Sequence, residues 1–81
     1  MEPIYISSTR NDYVIYPNRV VLGNTVIARS AITKLVWVDP YNSFTGMLKI
    51  YYADSVAEIT VSEQSKPDYT SFKEALEKIL F

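Results

Sequence analysis

The chain has 81 residues, a length that favours a single domain spanning residues 1–81, and it contains neither histidine nor cysteine. Disulfides and zinc sites built from these side chains are therefore excluded, and the two groups most often used for catalysis near neutral pH are missing. Eight basic and nine acidic residues give a net charge of −1, so nucleic-acid binding is not expected, because such domains usually carry a basic field.

Strand-like runs bounded by turn residues occupy the first part of the chain. Pro17-Asn18 places proline at a favourable turn position, and Gly23-Asn24 is a hairpin signal because glycine reaches positive φ without strain. A polar loop is expected at residues 8–12. The predicted strands of this part are 4–7, 13–16, 19–22 and 25–29.

A second set of strands is predicted after Ser30 and Ala31, which interrupt the pattern. In the run 32–38, Leu35 and Trp37 share one face, because successive side chains of a strand point to opposite sides.

The clearest hairpin prediction follows a turn cluster at residues 39–43. Apolar residues alternate with polar or outward-facing ones on both arms of this hairpin, and the turn at residues 53–55 separates the arms. The side chains predicted to face inward are Leu48, Ile50, Tyr52, Ala57, Ile59 and Val61.

The hydrophobic period changes from two to 3.6 after residues 62–68, a polar segment containing a proline that we predict to be a connector. Ser71 and Glu74 have the spacing of a capping box, with Asp68 or Thr70 as alternative caps. The following helix must dock on the sheet, because so short a helix is marginal alone in water. Its apolar stripe is Phe72, Ala75, Leu76, Ile79 and Leu80.

Strands joined by tight turns and followed by an amphipathic helix resemble the pleckstrin-homology-like fold, in its small bacterial version. The resemblance implies two sheets packed nearly orthogonally, with the helix closing one open end. It also implies lipid-headgroup binding at a basic cluster around the first loop, but here residues 7–12 hold one basic residue, Arg10, and one acid. The stretches that carry the resemblance are 13–22, 25–38, 46–50 and 72–80.

Catalysis and metal binding are not predicted. A nucleophilic serine needs a base, and without histidine only lysine or a carboxylate is available. Asp39 and Asp54 lie in turns, where a carboxylate commonly caps a backbone N–H. Gly23 and Gly46 stand in β-turn contexts instead of a phosphate-binding loop. We therefore expect no enzyme activity, no metal and no cofactor.

Protein contact is the function that the remaining apolar residues favour. If Trp37 faces inward, alternation turns its neighbours Val36 and Val38 outward. If Tyr52 faces inward, Met47 and Tyr51 of its strand lie on the same outer face. That face is either a partner-contact patch or core beneath a further layer, and both interpretations stay open. Tyr41 and Phe44 either fold back as a lid or anchor a partner. The outer-face candidates are Val36, Val38, Met47 and Tyr51.

The whole pattern predicts an α+β fold: an antiparallel six- or seven-stranded β-barrel or sandwich, pleckstrin-homology-like, capped by one C-terminal helix. We expect a non-catalytic protein-interaction or scaffolding module, whose partner is another protein or a second copy in a homo-oligomer. One alternative is a lipid-headgroup or small-ligand binder using Arg10, Arg19 or Lys34, and another is a small inhibitor of a larger enzyme. With no signal peptide or long apolar run recognised, the cytoplasm is the default location and membrane contact is not favoured.

Overall fold

The computed structural model describes residues 2–41 and 44–81. Two antiparallel sheets and a C-terminal helix make the fold α+β, as predicted, with strand orders β1-β2-β3-β4 and β5-β6-β7. The elements are β1 (Tyr5–Ile6), β2 (Tyr13–Tyr16), β3 (Arg19–Leu22), β4 (Thr25–Ala28), a 3₁₀ turn (Arg29–Ala31), β5 (Ile32–Val38), β6 (Gly46–Tyr52), β7 (Ser55–Val61) and α1 (Lys66–Leu80).

The turns of the four-stranded sheet form where the sequence indicates them. Pro17-Asn18 connects β2 to β3, and Gly23-Asn24 connects β3 to β4, with Gly23 at a φ of +62° that glycine adopts easily. The predicted strand 25–29 ends at Ala28, because Arg29 begins the 3₁₀ turn that leads the chain into the second sheet.

The inner face of the four-stranded sheet carries a row of buried side chains, one from each of three adjacent strands, which we call the inner row. Ile15, Val20 and Ile27 are direct cross-strand partners, and all three are buried. Tyr5 stands opposite Ile15 and continues the row onto β1. This row is the sheet's contribution to the core.

The three-stranded sheet contributes its inner face to the same core. Leu48 and Ile50 of β6 and Ile59 and Val61 of β7 are buried, as their alternation predicts. Gly46 begins β6 so close to the preceding chain that a Cβ there would collide with the carbonyl oxygen of Val38. Only glycine fits this crossing without a backbone shift.

The helix seats its apolar stripe on this core, packing against β1 and β2. Phe72 and Leu76 are fully buried, and Leu80 is half-buried. Tyr69 extends the predicted stripe by one turn toward the N-terminus, and its ring meets Phe72 edge to face at a centroid distance of 6.2 Å. Tyr5 meets Phe72 in the same way at 6.1 Å, which ties the helix to β1.

The helix starts earlier than predicted. It begins at Lys66, so residues 66–68 are helical and do not belong to a connector. Pro67 is compatible with this because the first turn of a helix needs no N–H from that residue. The N-cap is Ser65 without a side-chain cap bond, so the predicted caps at Ser71, Asp68 and Thr70 are wrong.

Backbone pairing among the described residues joins strands only within each sheet, so the two sheets are not closed into a barrel. Each sheet therefore keeps an outer face, turned away from the shared core. No helix in the described part of the chain is both long and apolar enough to cross a lipid bilayer.

Candidate functional site

The β5–β6 loop presents two aromatic side chains at the surface. Tyr41 is 69% exposed and Phe44 is 76% exposed, so neither folds back as a lid. Their backbones exchange two hydrogen bonds, N–H of Tyr41 to the Phe44 carbonyl at 3.1 Å and N–H of Phe44 to the Tyr41 carbonyl at 2.9 Å. The intervening part of the predicted turn, Asn42 and Ser43, lies outside the described residues.

A shallow pocket of about 240 Å³ adjoins this loop. It lies between the start of β6 and the segment that connects β7 to the helix. Its lining residues are Phe44, Thr45, Ser62, Glu63 and Gln64. Glu63 is the one titratable group among the described residues of the wall, and these residues therefore offer a place for contact and no acid–base pair.

The predicted patch on the three-stranded sheet does lie on one outer face. Cross-strand pairing sets Val38 opposite Met47, and Val36 opposite Lys49. Tyr51 stands opposite Lys34, whose ammonium lies 5.4 Å from the ring centroid. Met47, Val36 and Tyr51 are half-buried, and Val38 is exposed. The charged residues that interrupt the patch are Lys34, Lys49 and Glu58.

The three candidate ligand-binding cations are not brought together. Arg10 lies in the β1–β2 loop over the Tyr13 ring at 4.6 Å, and it pairs with Asp12 at 3.7 Å. Arg19 lies at the opposite end of β2 and β3, over the Tyr16 ring at 4.0 Å. Lys34 belongs to the other sheet. Each cation stacks on its own tyrosine, and the three do not form a common anion site.

The outer face of the four-stranded sheet carries an apolar surface that the sequence analysis did not single out. Its centre is an unbroken row of cross-strand partners, one from each strand, which we call the aliphatic row: Ile6, Val14, Val21 and Val26. At the two ends of the row, Ile6 is 51% exposed and Val26 is 62% exposed. Between them, Val14 and Val21 are half-buried, so the row is exposed at its ends and partly exposed in its middle.

The neighbouring row on this face is also poor in charge. Tyr16, Arg19 and Ala28 are successive cross-strand partners, and Ile4 precedes β1 on the same side. Arg19 is the one charged residue that the four strands place on this face, whereas three charges interrupt the other sheet's outer face. The outer face that fewer charges interrupt is thus that of the four-stranded sheet.

A partly buried polar cluster links the first loop to the first turn of the helix. The Tyr5 hydroxyl donates to Asp68 Oδ1 at 2.6 Å and the Ser7 hydroxyl donates to Oδ2 at 2.6 Å. The backbone N–H groups of Ser8 and Thr9 donate to the same carboxylate at 3.0 and 3.2 Å. We call these five residues the Asp68 cluster.

The electrostatics of the Asp68 cluster indicate a structural carboxylate. Burial by itself would raise the pKa of Asp68, but the hydrogen bonds from Ser7, Tyr5, Ser8 and Thr9 outweigh it and hold that pKa well below its ordinary value. Burial and the adjacent carboxylate raise the pKa of Tyr5. Ser7 is 1% exposed, so its hydroxyl cannot reach a substrate. The cluster fastens the loop to the helix.

The other end of the helix is fastened as well. The guanidinium of Arg29, in the 3₁₀ turn between the sheets, donates from Nε to the Ile79 carbonyl. A cation at a helix C-terminus also interacts favourably with the helix dipole. The two anchors hold α1 over one side of the molecule and leave both outer sheet faces uncovered by it.

Asp39 forms a third polar contact, beside the aromatic loop. Its carboxylate accepts a hydrogen bond from Trp37 Nε1 at 2.7 Å and lies 3.5 Å from the ammonium of Lys66. The Trp37 bond, followed by the charge of Lys66, lowers the pKa of Asp39. This contact orients the end of β5 through two side chains, whereas the sequence predicts a local backbone N–H as the partner of Asp39.

Comparisons of the chain with models of known protein families, with curated proteins and with solved structures found no match to any of them.

Proposed function

We propose that this chain is a non-catalytic protein-interaction module whose main contact surface is the outer face of the four-stranded sheet. The observation that carries the proposal is the aliphatic row, which crosses all four strands and is exposed at both ends, at Ile6 and Val26. An antiparallel sheet with one face on the core normally turns polar side chains to water on the other. A row of Ile and Val in that position is the pattern of a binding face.

The aromatic loop supports the same function at a second place. Tyr41 and Phe44 belong to the β5–β6 loop and are among the most exposed large hydrophobic side chains of the described residues. Aromatic side chains bury a large area on binding and are enriched in the energetic centres of interfaces. We propose that this loop adds an anchor for the partner.

The polar groups of the chain favour a structural role over a catalytic one. The oxygens of Asp68 are occupied by four donors, and Asp39 is held by Trp37 and Lys66. A carboxylate engaged in this way is a poor general base, because its protonation is disfavoured and its lone pairs are used. This supports the choice of a binding module.

The pleckstrin-homology-like arrangement remains part of the proposal. Seven strands in two meandering sheets followed by a helix support it in element order. The dispersed cations Arg10, Arg19 and Lys34 favour a protein partner over a lipid headgroup, since a headgroup phosphate needs several cations at one point.

Site-specific photocrosslinking tests the proposed surface. The photoreactive residue benzoylphenylalanine replaces Ile6, an exposed residue of this outer face. In a matched control it replaces Glu74 on the exposed side of the helix. Irradiation in cells of the source organism should give discrete adducts with another polypeptide chain from position 6 and none from position 74. Equal yields at the two positions, or no adduct at position 6, would contradict the proposal.

A further inference from the structure

The free edge of β4 lacks the protection that the other strand edges have. Natural sheets guard their edges with charges, proline, irregular pairing or very short strands. β1 has two residues and follows Pro3, β5 carries Lys34 and a shift in register, and β7 carries Glu58. The sequence of β4 is Thr-Val-Ile-Ala, uncharged and regularly paired. No strand among the described residues pairs with the side of β4 that faces away from β3.

The hairpin register fixes which backbone groups of β4 face this open edge. Hydrogen-bonded and non-hydrogen-bonded pairs alternate along an antiparallel ladder. Thr25 closes the turn opposite Leu22, and the Arg29 N–H donates to the Asn18 carbonyl at 2.9 Å, so positions 25, 27 and 29 bond toward β3. The N–H and C=O groups of Val26 and Ala28 therefore point away from the sheet.

We infer, building on the proposed interaction function, that β4 pairs antiparallel with β4 of a second copy of this chain, about a two-fold axis at Ile27. In this register Val26 stands opposite Ala28 of the second copy, and Ala28 stands opposite Val26 of the second copy. Each copy donates two N–H groups and accepts two, so the pairing satisfies every backbone group that β4 turns to the edge. The two sheets become one continuous sheet of eight strands.

Charge and symmetry favour a second copy as the occupant. In a two-fold pairing, β4 lies beside β4 of the second copy. Because this strand contains no charged residue, no like charges face each other across the new ladder. Arg29, which follows β4, is engaged with the Ile79 carbonyl. Arg19 lies one strand back, and the two Arg19 residues are three strand spacings apart, about 14 Å, which exceeds the Debye length of about 8 Å at physiological salt.

The size of the contact predicts a weak dimer. A four-residue edge is about 13 Å long, so it buries less than the roughly 800 Å² per copy of a standard interface. We therefore expect a dissociation constant of about 10 µM to 1 mM, in the range of transient associations. The aliphatic row ends at Val26, on the edge strand. In the dimer the outer faces of the two copies therefore adjoin across this edge.

Ala28→Pro tests the pairing without disturbing the fold. Ala28 has a φ of −65°, the value that proline imposes, and its N–H is not used within the sheet. The proline removes one donor from each copy, and its ring blocks close approach of the second strand. Ala28→Ser, which keeps the N–H, is the matched control. Sedimentation velocity over about 10 µM to 1 mM follows the dimer of each protein.

The expected result is a concentration-dependent dimer for the wild type and Ala28→Ser, and at least about tenfold weaker association for Ala28→Pro at an unchanged melting temperature. A wild type that stays monomeric at the highest concentration overturns the inference, as does an Ala28→Pro variant that dimerises like the wild type. If adducts still form from position 6 in either case, the proposed interaction function stands and only the second copy as partner is refuted.

Discussion

At the scale of single residues, the Asp68 cluster decides how the first loop and the helix are held together. Its donors lie 59 to 63 positions from Asp68 along the chain. Nothing local to Asp68 in the sequence indicates them, and the local pattern instead suggests a helix cap. The role of this residue could not be predicted because it depends on which distant loop the fold brings to the helix N-terminus.

Replacing Asp68 by Asn should destabilise the protein by about 2 kcal/mol, the usual worth of hydrogen bonds to a charged group. The amide keeps one acceptor oxygen but turns an NH₂ group toward donors of Tyr5, Ser7 or the loop backbone. Urea unfolding measures the loss. Glu74→Gln, an exposed helix position with no such partners, is the control and should change stability by less than about 0.5 kcal/mol.

The same carboxylate should make stability depend on acid. The pKa of Asp68 is lower in the folded chain than the ordinary value of about 3.9 expected for the unfolded chain. The ionised form therefore stabilises the fold fully above about pH 4, and this contribution is lost as the pH falls below it. Melting temperatures from pH 6 to pH 2 should fall less steeply for Asp68→Asn than for the wild type. Parallel curves would exclude Asp68 as the source.

At the scale of elements, strands were predictable where turn residues bound them. β2 and β3 match because Pro17-Asn18 and Gly23-Asn24 follow them, and β5 and the inner face of β6 match because their apolar side chains alternate. The start of α1 was not predictable, since residues 66–68 are polar and proline commonly ends regular structure. In the first helical turn the same proline is tolerated, and polar residues face solvent or the Asp68 cluster.

Leu76→Ala should cost about 2–5 kcal/mol of unfolding free energy, because the side chain is fully buried in the core to which both sheets contribute. Glu74→Ala, on the exposed side of the same helix, should be nearly neutral. Thermal unfolding by circular dichroism compares the two. A small, equal effect for both variants would mean that the helix does not depend on its apolar stripe for docking.

At the scale of the whole molecule, the contact surface was the hardest feature to predict. Apolar residues occupy both faces of β2, β3 and β4, whose sequences are Tyr-Val-Ile-Tyr, Arg-Val-Val-Leu and Thr-Val-Ile-Ala. Alternation cannot tell which side faces inward in such strands, and only the register aligns their outward residues into one row. The predicted patch around Met47 and Tyr51 came from the sheet whose alternation is clear, and it is interrupted by charges.

The measurement that separates these two surfaces most directly is a concentration series of amide ¹H–¹⁵N correlation spectra of the wild type up to about 1 mM. Contact through the four-stranded sheet predicts shifts that grow with concentration at Val26, Ala28 and the adjoining aliphatic row, while Met47 and Tyr51 stay unchanged. Shifts centred on Met47 and Tyr51, or spectra that do not change with concentration, would contradict self-contact through the edge and outer face of that sheet.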